Sequence, residues 1–401
     1  MTVKKNTTKK NKRTSKHASK YASKRTSKHI LKHTSKHINA SKRVRSPKRV
    51  LVGMSGGVDS SVVAQLLVNE GYEVTGVFLN FWKDESAGDK SENRCCSLES
   101  LMDAQKVAAK IGIPLYTLDF SQAFKKSVVD NFLSEYAAGR TPNPCVICNK
   151  KIKIGRLIKY ANSLGFDYVA TGHYLKIKKV GKTYQLFKAK DKLKDQSYFL
   201  YTFNQAELKK LLFPLGEYTK SQVKKLASKF KLEVESKAES QDICFLSGAH
   251  NNFLKKYLTL KPGEIRILET EKKIGEHQGL PLYTIGQRRG IEIGGTGPYY
   301  VAKFDYQRNI LYVANTWNDE VLYRKSLLAK KVNWLSGQAP KNNFSCQAVI
   351  RYGHKPVSCR VIKQKNNIYL VEFARKQRAI TPGQSVVFYD KKRVLGGGII
   401  K

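Results

Sequence analysis

The segment that most constrains this chain begins at Arg49. Arg49–Met54 reads as a short apolar strand, Ser55-Gly56-Gly57-Val58-Asp59-Ser60 follows, and Val62, Val63, Leu66 and Leu67 recur at helical spacing up to Gly71. A strand that turns through two glycines into a helix lets backbone N–H groups approach a phosphate closely, and the helix N-terminus adds partial positive charge. The serines offer further donors, and Asp59 is placed to help hold Mg²⁺ or to orient the loop. This is not a Walker loop, because no Lys follows the second glycine in the required arrangement. Gly181-Lys182-Thr183 fails as well, since Lys176 stands where that pattern needs glycine.

The pattern around the loop extends the argument. Glu73–Leu79, Pro114–Phe120 and Phe166–Tyr174 read as strands, and Leu98–Ile111, Gln122–Ala137 and Lys151–Leu164 as helices. Such alternation predicts an α/β fold with a parallel sheet covered on both faces, and ligands bound beyond the carboxyl ends of its strands. Past about residue 250 the texture changes. Glu264–Leu268, Tyr299–Phe304, Asn309–Val313, Ser345–Tyr352, Asn367–Phe373 and Ser385–Tyr389 are short strands between Gly, Asn and Lys turns, a pattern that predicts a mostly β portion ending in a small barrel.

Charge points to the partner. The 401 residues carry 74 Lys+Arg against 31 Asp+Glu, a net +43, and the first acid is Asp59. Residues 1–49 hold 18 of the bases, so the remainder still carries +25, with 56 bases against 31 acids. A body that basic predicts a polyanionic partner, nucleic acid before an acidic protein or a membrane surface. Residues 1–48 repeat Lys, His, Ser and Thr with few apolar groups, and read as a flexible electrostatic arm rather than a packed segment. The arm lacks the roughly 7–15-residue apolar core of a secretory signal. No apolar run approaches the about 18 residues that a spanning helix needs, so the expected location is cytoplasmic, without membrane attachment.

The seven cysteines are Cys95, Cys96, Cys145, Cys148, Cys244, Cys346 and Cys359. An odd count without a secretory signal argues for a reducing compartment over a disulfide scaffold. Cys145-Val146-Ile147-Cys148 is a single C-x-x-C; with no second one, a four-Cys zinc site is not supported, and thiol chemistry or cluster ligation remains. It follows Thr141-Pro142-Asn143-Pro144 and precedes a helix, where a helix N-terminus favours thiolate. Cys244 stands between apolar neighbours and on its own reads as a buried, inert thiol, as do the remaining four.

The Ser55–Ser60 loop resembles the SGGxDS signature of the PP-loop ATP pyrophosphatases. Together with the C-x-x-C and Cys244 in that order, the chain from about Arg49 to Lys401 resembles the tRNA-specific 2-thiouridylases of the bacterial MnmA type. The blocks that carry the resemblance include Thr141–Asn149, Thr171-Gly172-His173-Tyr174, Lys194–Leu200, Ser240–Phe245, Tyr283–Gly290, Gly297–Tyr300, Arg351-Tyr352 and Pro382-Gly383-Gln384. The first 48 residues lie outside it. The implied architecture is a PP-loop catalytic domain over 49–250 (adenine nucleotide α-hydrolase-like), a small central tRNA-binding domain over 251–320, and a β-barrel-like domain over 321–401.

Roles follow from the resemblance residue by residue. Gly53, Met54, Ser55, Gly56, Gly57, Val58, Asp59, Ser60, Leu79 and Gly172 would bind ATP, with Leu79 standing where relatives often have Met. Asn143, Pro144 and Cys145 would line the pocket for the target uracil, Cys145 replacing an Asp of many relatives. His173, Lys194, Asp195, Gln196, Arg351, Tyr352 and Gln384 would contact tRNA. Cys244 would carry a persulfide and Cys148 would be its partner thiol, either resolving the persulfide or releasing sulfide. A third route has Cys145, Cys148 and Cys244 ligate an iron–sulfur cluster that carries the sulfur. The implied reaction is ATP- and Mg²⁺-dependent 2-thiolation of the wobble uridine of tRNA, fed by a persulfide donor or relay protein. Arg288-Arg289 and the basic residues of 151–159 are further expected phosphate contacts. The competing readings are another PP-loop adenylating enzyme, which would not need Cys148 and Cys244, and a non-catalytic RNA-binding protein with a degenerate loop.

Overall fold

The computed structural model describes residues 46–84, 97–233, 243–246, 249–291, 293–294 and 297–401. The basic arm through residue 45, Cys95, Cys96 and Ser240-Gln241-Asp242 lie outside the described residues. From Pro47 onward the chain forms one compact unit.

Its first part is the expected parallel sheet. Strand β1 (Arg49–Met54) leads through the glycine loop into helix α1 (Val58–Asn69), then β2 (Glu73–Asn80), α2 (Leu98–Ile111) and β3 (Leu115–Asp119). Ser97 caps α2 by accepting from the Ser100 N–H, and Gly112 closes it in the left-handed region. The helix expected over Gln122–Ala137 is present, but in three parts: α3 (Ser121–Phe124), a π-helical turn (Lys125–Val129) and α4 (Asp130–Ala137). The helix expected over Lys151–Leu164 starts earlier, as α5 (Pro144–Cys148), a second π turn (Asn149–Lys153) and α6 (Gly155–Ser163). Strand β4 (Tyr168–Thr171) follows.

Between β4 and the next sheet strand comes a hairpin that the sequence pattern does not announce, β5 (Leu175–Val180) and β6 (Thr183–Lys188). A short helix α7 (Gln205–Leu208), strand β7 (Leu211–Leu212) and helix α8 (Lys220–Lys229) complete this part. Both helices begin with a full capping box, Asn204/Glu207 and Thr219/Gln222. The sheet order is β3-β2-β1-β4-β7, with β1 pairing β2 and β4 in parallel. The chain builds outward from β1 on one side and then crosses to the other, so the switch point lies between β1 and β4. Ligand crevices of open α/β sheets form at such points, beyond the strand carboxyl ends. The Ser55–Ser60 loop and Gly172-His173 stand there.

Helix α9 (His250–Tyr257) leads to a four-stranded sheet in the order β10-β11-β8-β9, made of β8 (Gly263–Ile267), β9 (Lys273–His277), β10 (Tyr300–Asp305) and β11 (Ile310–Ala314). The last part is a closed barrel of β12 (Tyr323–Trp334), β13 (Asn343–Val349), β14 (Val357–Lys363), β15 (Tyr369–Arg378), β16 (Ser385–Asp390) and β17 (Arg393–Ile400). Pairing of β12 with β17 removes both edges. Alternate residues such as Leu327, Val361, Val371, Phe373 and Phe388 fill its interior. The β5–β6 hairpin pairs onto β17 through Phe187–Arg393 and Leu186–Val394, tying the nucleotide-type sheet to the barrel. The strand expected over Ser345–Tyr352 ends at Val349. Arg351 and Tyr352 occupy the following turn, where Gly353 has a φ of +81°.

Candidate functional site

The loop after β1 shapes the site. The Ser60 hydroxyl accepts from the Ser55 N–H at 3.1 Å and donates to the Gly57 carbonyl at 3.1 Å, drawing the chain into a tight turn over the helix start. Gly57 is the N-cap of α1 and no side chain caps it, which leaves helix N–H groups available to an anion. Gly56 has a φ of +72°, and a Cβ there would sit 2.2 Å from the Ser100 carbonyl oxygen on α2. Only glycine lets the loop pass that close.

A cavity of about 190 Å³ opens in front of this turn. Gly53, Met54, Ser55, Asp59, Ser60, Leu79 and Gly172 line it, so the crevice gathers most of the residues read from sequence as nucleotide-binding. Gly56, Gly57 and Val58 complete the loop behind it. His173 and Gln196, read as tRNA contacts, line the same cavity. His173 is buried, its Nδ1 lies 2.7 Å from the Thr171 hydroxyl, and burial, with a smaller contribution from Lys153, pulls its pKa down to about 3. It is a neutral imidazole at physiological pH. The Gln196 side-chain carbonyl accepts from the Tyr174 N–H at 2.9 Å.

Three residues of this region were not read as part of the nucleotide site from sequence; Lys153 belongs to the basic stretch 151–159 expected to contact tRNA phosphates. Lys153, at the end of the second π turn, reaches the cavity wall and brings positive charge to it. Lys220, the first residue of α8, places its ammonium 2.8 Å from both Asp59 carboxylate oxygens. Tyr174 donates to Asp59 Oδ1 at 2.7 Å. Asp59 is thus held in place by the two, and the loop with it. Lys220 sits inside the Thr219/Gln222 capping box, a local pattern that marks a helix start but not the neighbour Asp59.

The C-x-x-C lies at the other end of one helical run. Asn143 caps α5, accepting from the Val146 N–H at 3.4 Å, and Pro144 takes the first helical position. Cys145 is half-buried and Cys148 buried. The same run continues through Lys153 and Leu157 into the wall of the cavity, so it joins the two places. A second link is Gln196 through Phe199. Gln196 lines the cavity, the Tyr198 hydroxyl donates to the Ser385 carbonyl at 2.8 Å and meets the Asn143 side chain, and the Phe199 ring packs at a tilt against Tyr352, centroids 4.6 Å apart. Tyr352 is exposed; burial of its phenol, then the nearby Asp195 and Cys145, raises its pKa.

The Thr141–Pro144 loop is fixed from the barrel. Gln384 Nε2 donates to the carbonyls of Thr141 at 2.9 Å and Pro142 at 3.1 Å, and the Thr141 N–H donates to the Pro382 carbonyl at 2.9 Å. Gly383, at φ +93°, would put a Cβ 2.8 Å from the Thr141 carbonyl oxygen. Thr284 meets Thr141 from the central part at 3.0 Å. Arg351 is half-buried against Thr381 at 3.1 Å, and burial lowers its pKa. Asp195 accepts from the Ala189 and Ser197 N–H groups and the Ser197 hydroxyl, holding the turn that carries Lys194 and Gln196; burial raises its pKa.

Cys244 is half-buried, and its neighbour Phe245 is wedged among Phe124, Phe132 and Phe253 at 5.7, 5.3 and 5.6 Å. Helix α5 packs on the π turn that joins Phe124 to α4. The segments of Cys148 and Cys244 therefore dock on one helical run. Among the described residues no three His, Cys, Asp or Glu side chains converge as a metal-holding group. Arg288, Arg289, Lys151, Arg156 and Lys159 are exposed. Among the described residues no helix is long and apolar enough to cross a membrane.

Comparison with known proteins decides the family. Residues 48–248 match the model of the tRNA methyl transferase HUP domain, 251–315 the tRNA methyl transferase PRC-barrel domain, and 324–400 the aminomethyltransferase beta-barrel domain. A tRNA-specific 2-thiouridylase MnmA of Chloroflexus aggregans is 46% identical over 356 residues, covering 88% of this chain and 98% of that protein. The chain belongs to the tRNA-specific 2-thiouridylase family. Another 2-thiouridylase, from Methylobacillus flagellatus, is 44% identical over 359 residues and likewise covers 88% of this chain and 98% of its own. The 2-thiouridylase match thus spans the sheet, the central part and the barrel, in the order in which the structure builds them.

Proposed function

We propose that this chain is a tRNA-uridine 2-sulfurtransferase that uses ATP to convert the wobble uridine, position 34, to 2-thiouridine. The observation that carries the reading is the double link between the cavity and the Asn143–Cys148 turn, one along α5–α6 and one along Gln196–Phe199. An adenylating site and a thiol site in one continuous framework are what sulfur delivery to an activated carbonyl requires. In this reading residues 49–250 hold the chemistry, while 251–320 and 321–401 position the tRNA.

The C2 oxygen of uridine is a poor leaving group. It attacks the α-phosphorus of ATP; the new P–O bond forms as the bond to pyrophosphate breaks. N–H groups of the α1 N-terminus, Ser55, Ser60 and Lys153 receive the phosphate charge in a partly desolvated cavity. Neutral His173 can donate or accept one hydrogen bond there without adding charge. Mg²⁺ accompanying ATP would take Asp59 as its carboxylate in exchange for Lys220, and would neutralise charge on the phosphates.

Asn143, Pro144 and Cys145 line the place for the flipped uracil, with Tyr352 beside it. Unstacking a loop base costs only about a few kcal/mol. The terminal sulfur of a Cys244 persulfide then attacks C2, the C2–S bond forms, and AMP departs as the C2–O bond breaks. Cys148 attacks the inner sulfur; the bond from there to the outer sulfur breaks, the outer sulfur stays on C2 as the thiocarbonyl, and the Cys148–Cys244 disulfide left behind is reduced with two electrons by an external thiol. The persulfide comes from a donor or relay protein. His173, Lys194, Asp195, Gln196, Arg351, Tyr352 and Gln384 form or support the surface that meets tRNA. The test is nucleoside analysis of unmodified tRNA after incubation with the full chain, ATP, Mg²⁺ and a persulfide donor. The expected product is 2-thiouridine at position 34; tRNA left unthiolated, or thiolated elsewhere, overturns the reading.

A further inference from the structure

The barrel carries a pair of thiols that this chemistry does not use. Cys346 on β13 and Cys359 on β14 are direct cross-strand partners, both are free, and their sulfurs stand 3.7 Å apart. Directly opposed residues of antiparallel strands have Cα atoms about 4.5 or 5.5 Å apart, depending on the class of pair. Both values fall within the range of about 4.4–6.8 Å that a disulfide spans. Side-chain rotation is therefore enough to bring the sulfurs into bonding distance, without a shift of either strand. Cys359 is buried, whereas Cys346 is half-buried and offers the way in. The contact with Cys359, followed by burial, pushes the Cys346 thiol up.

The position of the pair gives it a consequence. β13 and β14 are the arms of a hairpin whose tip, residues 350–356, carries Arg351 and Tyr352. Gln347–Ser358 and Ala348–Val357 are the pairs that separate the cysteines from that tip. A covalent bridge at Cys346–Cys359 fixes the base of the tip.

We propose that Cys346 and Cys359 form a reversible disulfide, with a peroxide as oxidant, that clamps the hairpin presenting Arg351 and Tyr352. Cys346 gives up its thiol proton and attacks the peroxide through sulfur, S–O forming as O–O breaks, and the departing oxygen takes up that proton and leaves as water. The Cys359 sulfur then attacks that sulfur, S–S forms, S–O breaks, and a second water carries away the remaining oxygen and protons. Each sulfur loses one electron and the peroxide gains two. A dithiol reductant returns two electrons and two protons and opens the clamp. The meaning of the clamp for tRNA rests on the function proposed above, but the bond and its effect on the hairpin do not.

The experiment is accordingly run without tRNA. The full chain is treated with hydrogen peroxide, remaining thiols are alkylated, and the protein is digested without reduction for mass analysis. Amide hydrogen exchange over residues 350–356 is followed in parallel. The expected result is a Cys346–Cys359 linked peptide that dithiothreitol removes, with exchange at the tip slowed severalfold. Neither effect should appear in Cys346→Ser or, as a second variant, Cys359→Ala. Recovery of the two cysteines as separately alkylated or over-oxidised peptides overturns the proposal. So does a linked peptide whose formation leaves exchange at the tip unchanged.

Discussion

Replacing Lys220 by Met tests how the phosphate loop is held. The substitution keeps the length of the side chain and removes the ammonium that stands 2.8 Å from both oxygens of Asp59. An exposed ion pair contributes at most about 1 kcal/mol, whereas losing one partner of a fully buried pair costs roughly 3–5 kcal/mol. Here the Lys220 and Asp59 side chains retain 15% and 30% of their exposure, which places the pair between those limits, and Tyr174 stays behind as one hydrogen-bond donor. A loss of about 2 kcal/mol is expected for Lys220→Met. In Lys220→Met/Asp59→Asn no carboxylate is left without its cation, so part of the loss should return, a coupling of about 1–2 kcal/mol. Urea unfolding of the wild type, both single variants and the double variant measures it. The ATP KM of Lys220→Met should also rise, because Asp59 lies in the first turn of α1, next to the phosphate loop. Single-variant losses that add within about 0.5 kcal/mol would refute the reasoning.

Two further perturbations probe the same crevice. Gly56→Ala must place a Cβ 2.2 Å from the Ser100 carbonyl oxygen at a φ of +72°, so the loop has to move; ATP affinity by calorimetry should fall at least about tenfold, and an unchanged affinity would contradict the phosphate-loop geometry. His173 has a pKa depressed to about 3 from the ordinary value near 6.5, so protons bind the unfolded chain first on acidification. The stability it contributes is complete above about pH 6.5 and is lost towards pH 3, at up to about 1.4 kcal/mol per pH unit. Wild type and His173→Gln should therefore diverge in urea midpoint across that window, and parallel pH profiles would rule the burial argument out.

What the sequence disclosed follows from how local each signal is. The β1–loop–α1 unit, β2 and α2 are set by near-neighbour patterning and capping, and their expected and observed limits nearly coincide. The π turns at Lys125–Val129 and Asn149–Lys153 left no mark, because the apolar period of a helix barely changes across one extra residue. The β5–β6 hairpin was invisible for a different reason. Its strands are largely polar, with Lys176, Lys178 and Lys179 on β5, and its place is set by pairing with β17 some two hundred residues on. At the site, motif reading gathered the loop Gly53–Ser60, Leu79 and Gly172, most of which line the cavity. His173 and Gln196, read as tRNA contacts, also line that cavity. The motif reading counted Lys153 among the basic residues of 151–159 facing tRNA and gave Lys220 no role; both charges look like ordinary surface until helix packing turns them inward. Gln384 shows a contact no spacing reveals: its amide holds the Thr141–Pro142 carbonyls from the other end of the chain.

The central claim is that one framework first activates uridine with ATP and then delivers sulfur from Cys244. Its most direct test separates the two steps in Cys244→Ser. With ATP, Mg²⁺, a persulfide donor and unmodified tRNA, this variant should still release pyrophosphate in a tRNA-dependent manner while its tRNA contains no 2-thiouridine. Formation of 2-thiouridine by Cys244→Ser at the wild-type level would contradict the account.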